Sequence, residues 1–298
     1  LCIGGTSWFF CNSSLTEREG VHKFDYLFID EAGQVSLADL ISIGNIAKNI
    51  VLIGDQNQLG QPIRGTHPNE SGQSILDYLL EGKDTIPEDR GIFLNKTYRL
   101  NSKINNFISS NFYEERLVCD ERTDMRTIKF DKKSLIKSDG IHYIQMDHKN
   151  NVQTSIEEFE VVKDLMQQLI GSDFDDNGKK RKLTVDDFLI ISPYNTQVNL
   201  LISKLEEAKI KNPRVGTIDK FQGQEAPITI ISMTSSDNDS LPRNKEFFFS
   251  RNRLNVAISR AQVTSIILFN PKLLDSSPKN LDQIKLMNNF FKFLNYEI

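Results

Sequence analysis

The sequence predicts an α/β fold organised around parallel strands, and three observations carry that prediction. Short apolar blocks at residues 26–29 and 50–53 each run into a loop that opens with an acid or a glycine. Such blocks suit strands buried on both faces of a parallel sheet. Residues 35–45 lie between them and can form a helix, which completes a βαβ unit. The same alternation returns after residue 141, and a chain of 298 residues suits about two domains.

The later elements follow in order. Residues 101–113 have helical spacing (Ile104, Phe107, Ile108), and a polar, charged stretch covers 119–139. Residues 141–145 read as a strand. Residues 155–170 read as a helix opened by a capping box, Ser155 with Glu158 three positions on. Further buried strands are predicted at 188–192, 229–233 and 265–269. Leu281, Ile284, Met287, Phe291 and Leu294 share one face of a C-terminal helix expected to pack on the core. The domain boundary falls near Asn95, giving segments 1–95 and 96–298. The basic run Lys179-Lys180-Arg181-Lys182 has Asp173, Asp175 and Asp176 just upstream and reads as a solvated loop.

Composition narrows the function classes. The chain has 36 Lys+Arg against 40 Asp+Glu, a net charge of −4, with 39% hydrophobic residues. That is a globular profile, neither disordered nor fibrous. A slightly acidic total argues against nucleic-acid binding by bulk charge but leaves room for a local basic groove. Cys2, Cys11 and Cys119 are too few and scattered for a disulfide framework, so a reducing, cytoplasmic setting is expected. The four histidines form no metal-ligand spacing with them. No apolar run approaches the ~20 residues of a membrane span. The chain opens at Leu1 in an apolar segment without an initiator Met, which reads as a piece of a longer protein.

Several polar loops follow predicted strands. Asp30-Glu31-Ala32-Gly33-Gln34 puts two adjacent carboxylates at the C-terminal end of a strand, where α/β sheets place their ligands. Such a pair fits nucleotide hydrolysis, one carboxylate on Mg²⁺ and the next orienting the attacking water. The next strand ends in Gly54-Asp55-Gln56-Asn57-Gln58, on the same edge if the two strands are parallel. Thr97-Tyr98-Arg99 sets an arginine beside an aromatic. Residues 215–225 form a glycine-containing polar loop before the strand at 229. Residues 251–262 hold three arginines on a helix that leads into a strand.

In this order and spacing the segments resemble the ATPase-helicase motifs of superfamily 1. The branch is the one that contains the nonsense-mediated-decay RNA helicases and the nuclease–helicase proteins, with bacterial RecB-like nuclease–helicase fusions nearest. Asp30-Glu31 with Gln34 resembles motif II, and Gly54-Asp55 with Gln58-Leu59 resembles motif III. Tyr98-Arg99 resembles motif IV, Ser192-Pro193-Tyr194 with Gln197 motif IVa, Gln222-Gly223-Gln224-Glu225 motif V, and residues 255–260 motif VI. Gly5-Thr6 with Trp8 resembles a segment ahead of motif II. The resemblance implies two RecA-like lobes, the first incomplete, and an ATP-dependent helicase or translocase that moves 5′ to 3′. It implies Mg²⁺ on Asp30, water activation by Glu31, and γ-phosphate coupling by Gln58. Arg99 and Arg260 would be arginine fingers. Tyr98 would stack on the base and Glu225 hold the ribose, with Asp55 and Gly223 beside the nucleotide. Gly5, Thr6, Pro193, Tyr194 and Thr217 would face single-stranded nucleic acid, DNA in preference to RNA. Asp30, Gln58, Arg99, Glu225 and Arg260 would line one cleft. An upstream nuclease domain would belong to the same polypeptide.

The phosphate loop of such motors, G-x-x-x-x-G-K-[ST], does not occur in these residues. Gly82-Lys83 is followed by Asp84 and Gly178-Lys179 by Lys180. The expectation is that the loop lies before Leu1, that this chain alone does not turn over ATP, and that the first lobe exposes apolar surface. The other classes left open are an ATP-independent nucleic-acid-binding module and a protein-interaction module.

Overall fold

In the computed structural model the described residues are 2–12, 23–60, 67–69, 71–237 and 250–274, together with Ile284 and Phe291. They fall into two compact units, Leu1–Phe93 and Leu94–Ile298, and each is α/β.

The first unit comprises α1 (Ser7–Phe10), β1 (Phe24–Ile29), α2 (Leu37–Gly44), β2 (Ala47–Leu52) and α3 (Ile75–Leu80). β1 and β2 pair in parallel, with Phe24 opposite Ala47 and Ile29 opposite Leu52. Both longer helices start on a serine cap. Ser36 Oγ accepts the Asp39 N–H and Ser74 Oγ the Asp77 N–H, each at 3.1 Å. The core gathers Leu27 and Ile29 with Ile43, Ile46, Ile75 and Leu80. Burial of β1 on both faces is not what forms. Tyr26 and Phe28 are 59% and 64% exposed, because α2 and α3 pack on the Leu27 and Ile29 side of a two-stranded sheet.

What fixes the loops after β1 and β2 is backbone against backbone. Ala32 N–H donates to Ile53 O at 2.9 Å. A Cβ on Gly33 would stand 2.7 Å from Asp55 O, and one on Gly54 would stand 2.7 Å from Ala32 N and 3.0 Å from Gly33 N. Glycine is required at both positions for the loops to touch.

The second unit runs β3 (Lys96–Thr97), α4 (Ser102–Phe112), β4 (Val118–Cys119), β5 (Thr127–Ile128), β6 (Gly140–Gln145), α5 (Ile156–Leu169), β7 (Asp173–Asp176) and β8 (Lys179–Lys182). It continues through β9 (Phe188–Ile191), α6 (Asn195–Glu207), β10 (Val215–Gly216), β11 (Ala226–Ser232), α7 (Arg251–Ser259) and β12 (Ala261–Phe269). Five strands form one parallel sheet in the order β10-β9-β11-β12-β6. β9 and β11 are buried along their whole length, as apolar blocks in a doubly covered sheet should be. α5 and α6 supply Val162, Leu165, Leu201 and Leu205 to one face. α4 and α7 pack against each other and against β12.

Three expectations need correcting or limiting. The basic run is a β-strand, not a loop: β8 pairs antiparallel with β7, so Lys182 faces Asp173, Lys180 faces Asp175 and Lys179 faces Asp176. Cross-strand charge pairing across an exposed ladder accounts for the alternating signs. The capping box on α5 is half formed. Ser155 Oγ accepts the Glu158 N–H at 3.1 Å, but the Ser155 N–H donates to Gln197 Oε1 at 2.8 Å, because the Glu158 carboxylate is drawn into the core. Of the C-terminal helix, Leu281, Met287 and Leu294 lie outside the described residues. Ile284 and Phe291 are helical but 49% and 39% exposed.

Two outcomes follow from these packings. Gly54→Ala forces a Cβ into backbone, so it should cost the first unit about 1–3 kcal/mol in urea unfolding. Gly60→Ala, with nothing within 4 Å of the added carbon, is the neutral control. Asp139, just before β6, is pushed up to about 6 by burial, against the pull of Lys103 and the Ile128 N–H, and its Oδ1 has no partner. An acid whose folded value lies above its ordinary one stabilises the fold at low pH and loses that contribution as pH rises through the folded value. Asp139→Asn should therefore raise stability on the order of 1 kcal/mol at about pH 7.5 and change little below about pH 4.

Candidate functional site

The parallel pairing of β1 and β2 brings two acid-bearing loops to one edge of the first unit. Asp30 and Glu31 follow β1 and both are exposed. Asp30 Oδ1 accepts the Glu31 N–H at 3.0 Å, and Glu31 sits in the left-handed region at φ 53° before a 3-10 turn, Ala32–Gln34. Left-handed backbone at a non-glycine residue costs energy and persists where neighbours hold it. Here the contacts of Ala32 and Gly33 with residues 53–55 do so. Gln34 Nε2 donates to Glu31 Oε2 at 3.4 Å.

The second loop is ordered around Asp55. Its Oδ1 accepts the Asn57 N–H at 2.9 Å and its Oδ2 accepts from Gln58 Nε2 at 3.0 Å. Asn57 Nδ2 donates to Asp84 O at 2.8 Å, and Gln56 donates to the same carbonyl, so the loop is tied to the chain beyond α3. Elsewhere in this unit, Thr6 caps α1 through the Phe9 N–H at 3.4 Å, and Gly5 leaves the room that the Phe9 ring occupies. Both are exposed.

In the second unit the candidate residues divide between opposite ends of the sheet. Glu225 immediately precedes β11 and Arg260 immediately precedes β12. The pair Ala226–Ala261 puts these two starts side by side. Arg99 bonds the Glu225 carboxylate through Nε and donates to Ser259 O at 3.4 Å, and Gln262 Nε2 donates to Glu225 Oε1 at 2.8 Å. Burial works to raise the Glu225 carboxyl, but the Arg99 guanidinium and the Gln262 amide outweigh it and hold it below its ordinary value. Gly223 turns the chain at φ +74°, the left-handed region that favours glycine. Arg260 is 2% exposed and donates to Val256 O at 3.2 Å and Gln224 O at 3.4 Å.

Tyr98 stands beside this group and is 58% exposed. Lys96 Nζ lies 5.7 Å and the Arg122 guanidinium 5.4 Å from the ring centroid. Asp120 holds both cations, at 2.9 Å and 2.7 Å, and those bonds, Arg122 first, keep its carboxyl well below the usual range. Arg126 donates to Tyr98 O at 3.1 Å and Arg99 O at 3.0 Å. Lys96, Asp120, Arg122 and Arg126 were not legible as site residues, because their partners lie across a chain crossing that no local spacing records.

The other end of the sheet, about 20 Å away along seven-residue β11, carries Pro193, Tyr194 and Thr217. Pro193 and Thr217 line an open pocket with Ser192, Met233, Arg253 and Leu254. Arg253 NH1 donates to Asp219 Oδ2 at 3.2 Å. Tyr194 departs from the expected surface role. It is 4% exposed, and its hydroxyl lies 3.4 Å from Ser235 Oγ, since the ring packs inward at the start of α6. Among the described residues no group of three or more His, Cys, Asp or Glu could hold a metal ion. No helix among them is long and apolar enough to cross a membrane.

Comparison with known proteins adds identity to this geometry. The AAA_12 family, an AAA domain, matches residues 72–272. The DNA replication ATP-dependent helicase/nuclease dna2 of Schizosaccharomyces pombe is 28% identical over 278 residues, covering 86% of this chain and 19% of its own length. The probable RNA helicase armi of Drosophila melanogaster is 28% identical, covering 84% of this chain and 24% of its own length. The uncharacterized ATP-dependent helicase MJ0104 of Methanocaldococcus jannaschii is 27% identical, covering 88% and 38%. This chain thus spans between a fifth and two-fifths of those relatives. With a family match over more than half its length and helicase relatives along most of it, the chain belongs to the AAA_12 family of AAA domains and to the superfamily 1 helicases that its motifs resemble.

Proposed function

We propose that this chain is the C-terminal motor portion of an ATP-dependent helicase or translocase, acting on single-stranded DNA in preference to RNA and moving 5′ to 3′. The observation that carries the reading is the backbone-to-backbone packing of residues 31–34 against 53–56, which sets Asp30-Glu31 and Asp55–Gln58 together at the C-terminal edge of parallel strands. That edge is where α/β sheets hold nucleotides. Helicase/nucleases among the relatives support the DNA preference and an upstream nuclease domain, while the RNA helicase among them makes the DNA–RNA comparison part of the test.

Each residue has a task in this reading. Glu31, adjacent to Asp30, orients and deprotonates the attacking water. Gln58, already hydrogen-bonded to Asp55, relays the state of the γ-phosphate through an uncharged amide. Asp30 is exposed, with one oxygen on the Glu31 N–H, and is the carboxylate that would hold Mg²⁺. When bound, the ion would supply positive charge to offset that of the nucleotide phosphates. Arg99 and Arg260 place guanidinium charge toward the transition state, and Arg260 must leave the Gln224 and Val256 carbonyls to do so. Tyr98 stacks on the base and Glu225 takes the ribose hydroxyls once Arg99 turns to phosphate. Gly5, Thr6, Pro193 and Thr217 offer short side chains and backbone to a strand that is gripped without regard to sequence. In this reading the protein works in the cytoplasm, the reducing setting that three scattered cysteines suit.

The test is phosphate release by the full-length protein with labelled DNA or RNA single strands present. Glu31→Gln should retain ATP binding while strand-stimulated turnover falls about 100-fold or more. Turnover equal to wild type would remove Glu31 from the chemistry. Stimulation by RNA alone would reverse the DNA preference.

A further inference from the structure

One fully buried, multiply bonded acid in the described second unit is not part of any motif. Glu158, in the first turn of α5, is 0% exposed. Its two oxygens accept the Thr234 N–H at 3.0 Å each. Oε2 also accepts from Ser232 Oγ, and Oε1 lies 3.2 Å from His148 Nε2. His148 is itself 2% exposed, and its Nδ1 lies 2.7 Å from Ser236 Oγ. Ser236 Oγ also accepts the Asn151 N–H at 2.9 Å. Asn270 Nδ2 fixes the histidine backbone by donating to His148 O at 2.7 Å. Burial pushes the Glu158 carboxyl up, against the bonds from His148, Ser232 and Thr234 that favour its charged form.

What this acid holds is a strained turn. Thr234 has φ +71°, a conformation that a β-branched residue adopts only under constraint. It directly follows β11 and Met233, at the edge that carries Pro193 and Thr217. Thr234 Oγ1 lies 3.2 Å from Ser192 Oγ, which precedes Pro193. Gln197 joins the same system. Its Nε2 donates to Ser232 Oγ at 3.2 Å while its Oε1 accepts the Ser155 N–H at 2.8 Å. Ser235 Oγ donates to Val152 O at 2.6 Å, so residues 148–155 are bound to the turn as well. One buried carboxylate therefore sets three segments, 148–155, 192–197 and 232–236, that meet at this end of the sheet.

We propose that Glu158 is a positioning residue for the nucleic-acid strand, which fixes the turn at Thr234 and through it the Ser192–Pro193 loop in the conformation that receives the strand. The proposal rests on the reading of this edge as the strand-binding one. Glu158 touches neither strand nor nucleotide, and the nucleotide group at Glu225 and Arg99 lies at the opposite end of β11. The two functions should separate.

The experiment uses the full-length protein and measures Kd for a fluorescent single-stranded oligonucleotide beside Kd for a fluorescent ATP analogue. Glu158→Ala should weaken strand binding about tenfold, and Glu158→Gln, which keeps volume and one acceptor oxygen, about threefold, with nucleotide Kd within about twofold of wild type in both. Thr234→Gly removes the cost of the positive φ, so in that background the effect of Glu158→Ala should shrink to about threefold or less. Hydrogen exchange at residues 233–236 should quicken in both Glu158 variants. Equal losses for strand and nucleotide would make Glu158 a general stability residue and overturn the proposal. Strand binding unchanged in Glu158→Gln and Glu158→Ala would overturn it while leaving the strand reading intact. Wild-type protein that binds nucleotide and no strand would overturn the strand reading itself, and this proposal with it.

Discussion

The constraint on which the candidate sites depend is the parallel register of the strands. In the second unit Ala226 pairs with Ala261, so the residues just ahead of β11 and β12 are neighbours, and with them Glu225 and Arg260. The same register carries β9, β10 and β11 to a common far edge, where Pro193, Thr217 and the Thr234 turn meet. An antiparallel sheet would have mixed these groups at each end. A parallel one sorts them, because every strand enters from one side and leaves by the other.

The first unit applies the same rule with fewer strands. β1 and β2 leave the sheet together, and their loops then touch through backbone alone at Gly33 and Gly54. That contact holds Glu31 at positive φ, so the position of the carboxylate is a consequence of two missing Cβ atoms some twenty residues apart. Tyr26 and Phe28 lie on the other face of this sheet, which α2 and α3 leave exposed.

Much of this was legible in the sequence. Apolar blocks marked β1, β2, β6, β9, β11 and β12, and Ser155 stood where a cap was expected. Polar loops after β1, β2, β9 and β10 and before β11 were readable because the motifs are local. What was not legible is long-range. The pairing of β7 with β8 turned an apparent loop into a ladder, since charge alternation across strands has no local signature. Glu158 looked like the second half of a capping box, yet a carboxylate that can reach His148, Ser232 and Thr234 gains more from those donors than from one N-cap amide. Tyr194 matched a surface motif and folded inward, because an aromatic at the start of a packed helix has apolar area to bury.

The central claim is that one parallel sheet presents nucleotide chemistry at one end and strand contacts at the other. Hydrogen exchange on the full-length protein, with a non-hydrolysable ATP analogue or with a single-stranded oligonucleotide, tests it directly. The analogue should slow exchange at residues 98–99, 223–225 and 259–262, and the oligonucleotide should slow it at 192–194, 216–217 and 233–236. Protection of the same end of the sheet by both ligands would contradict the account.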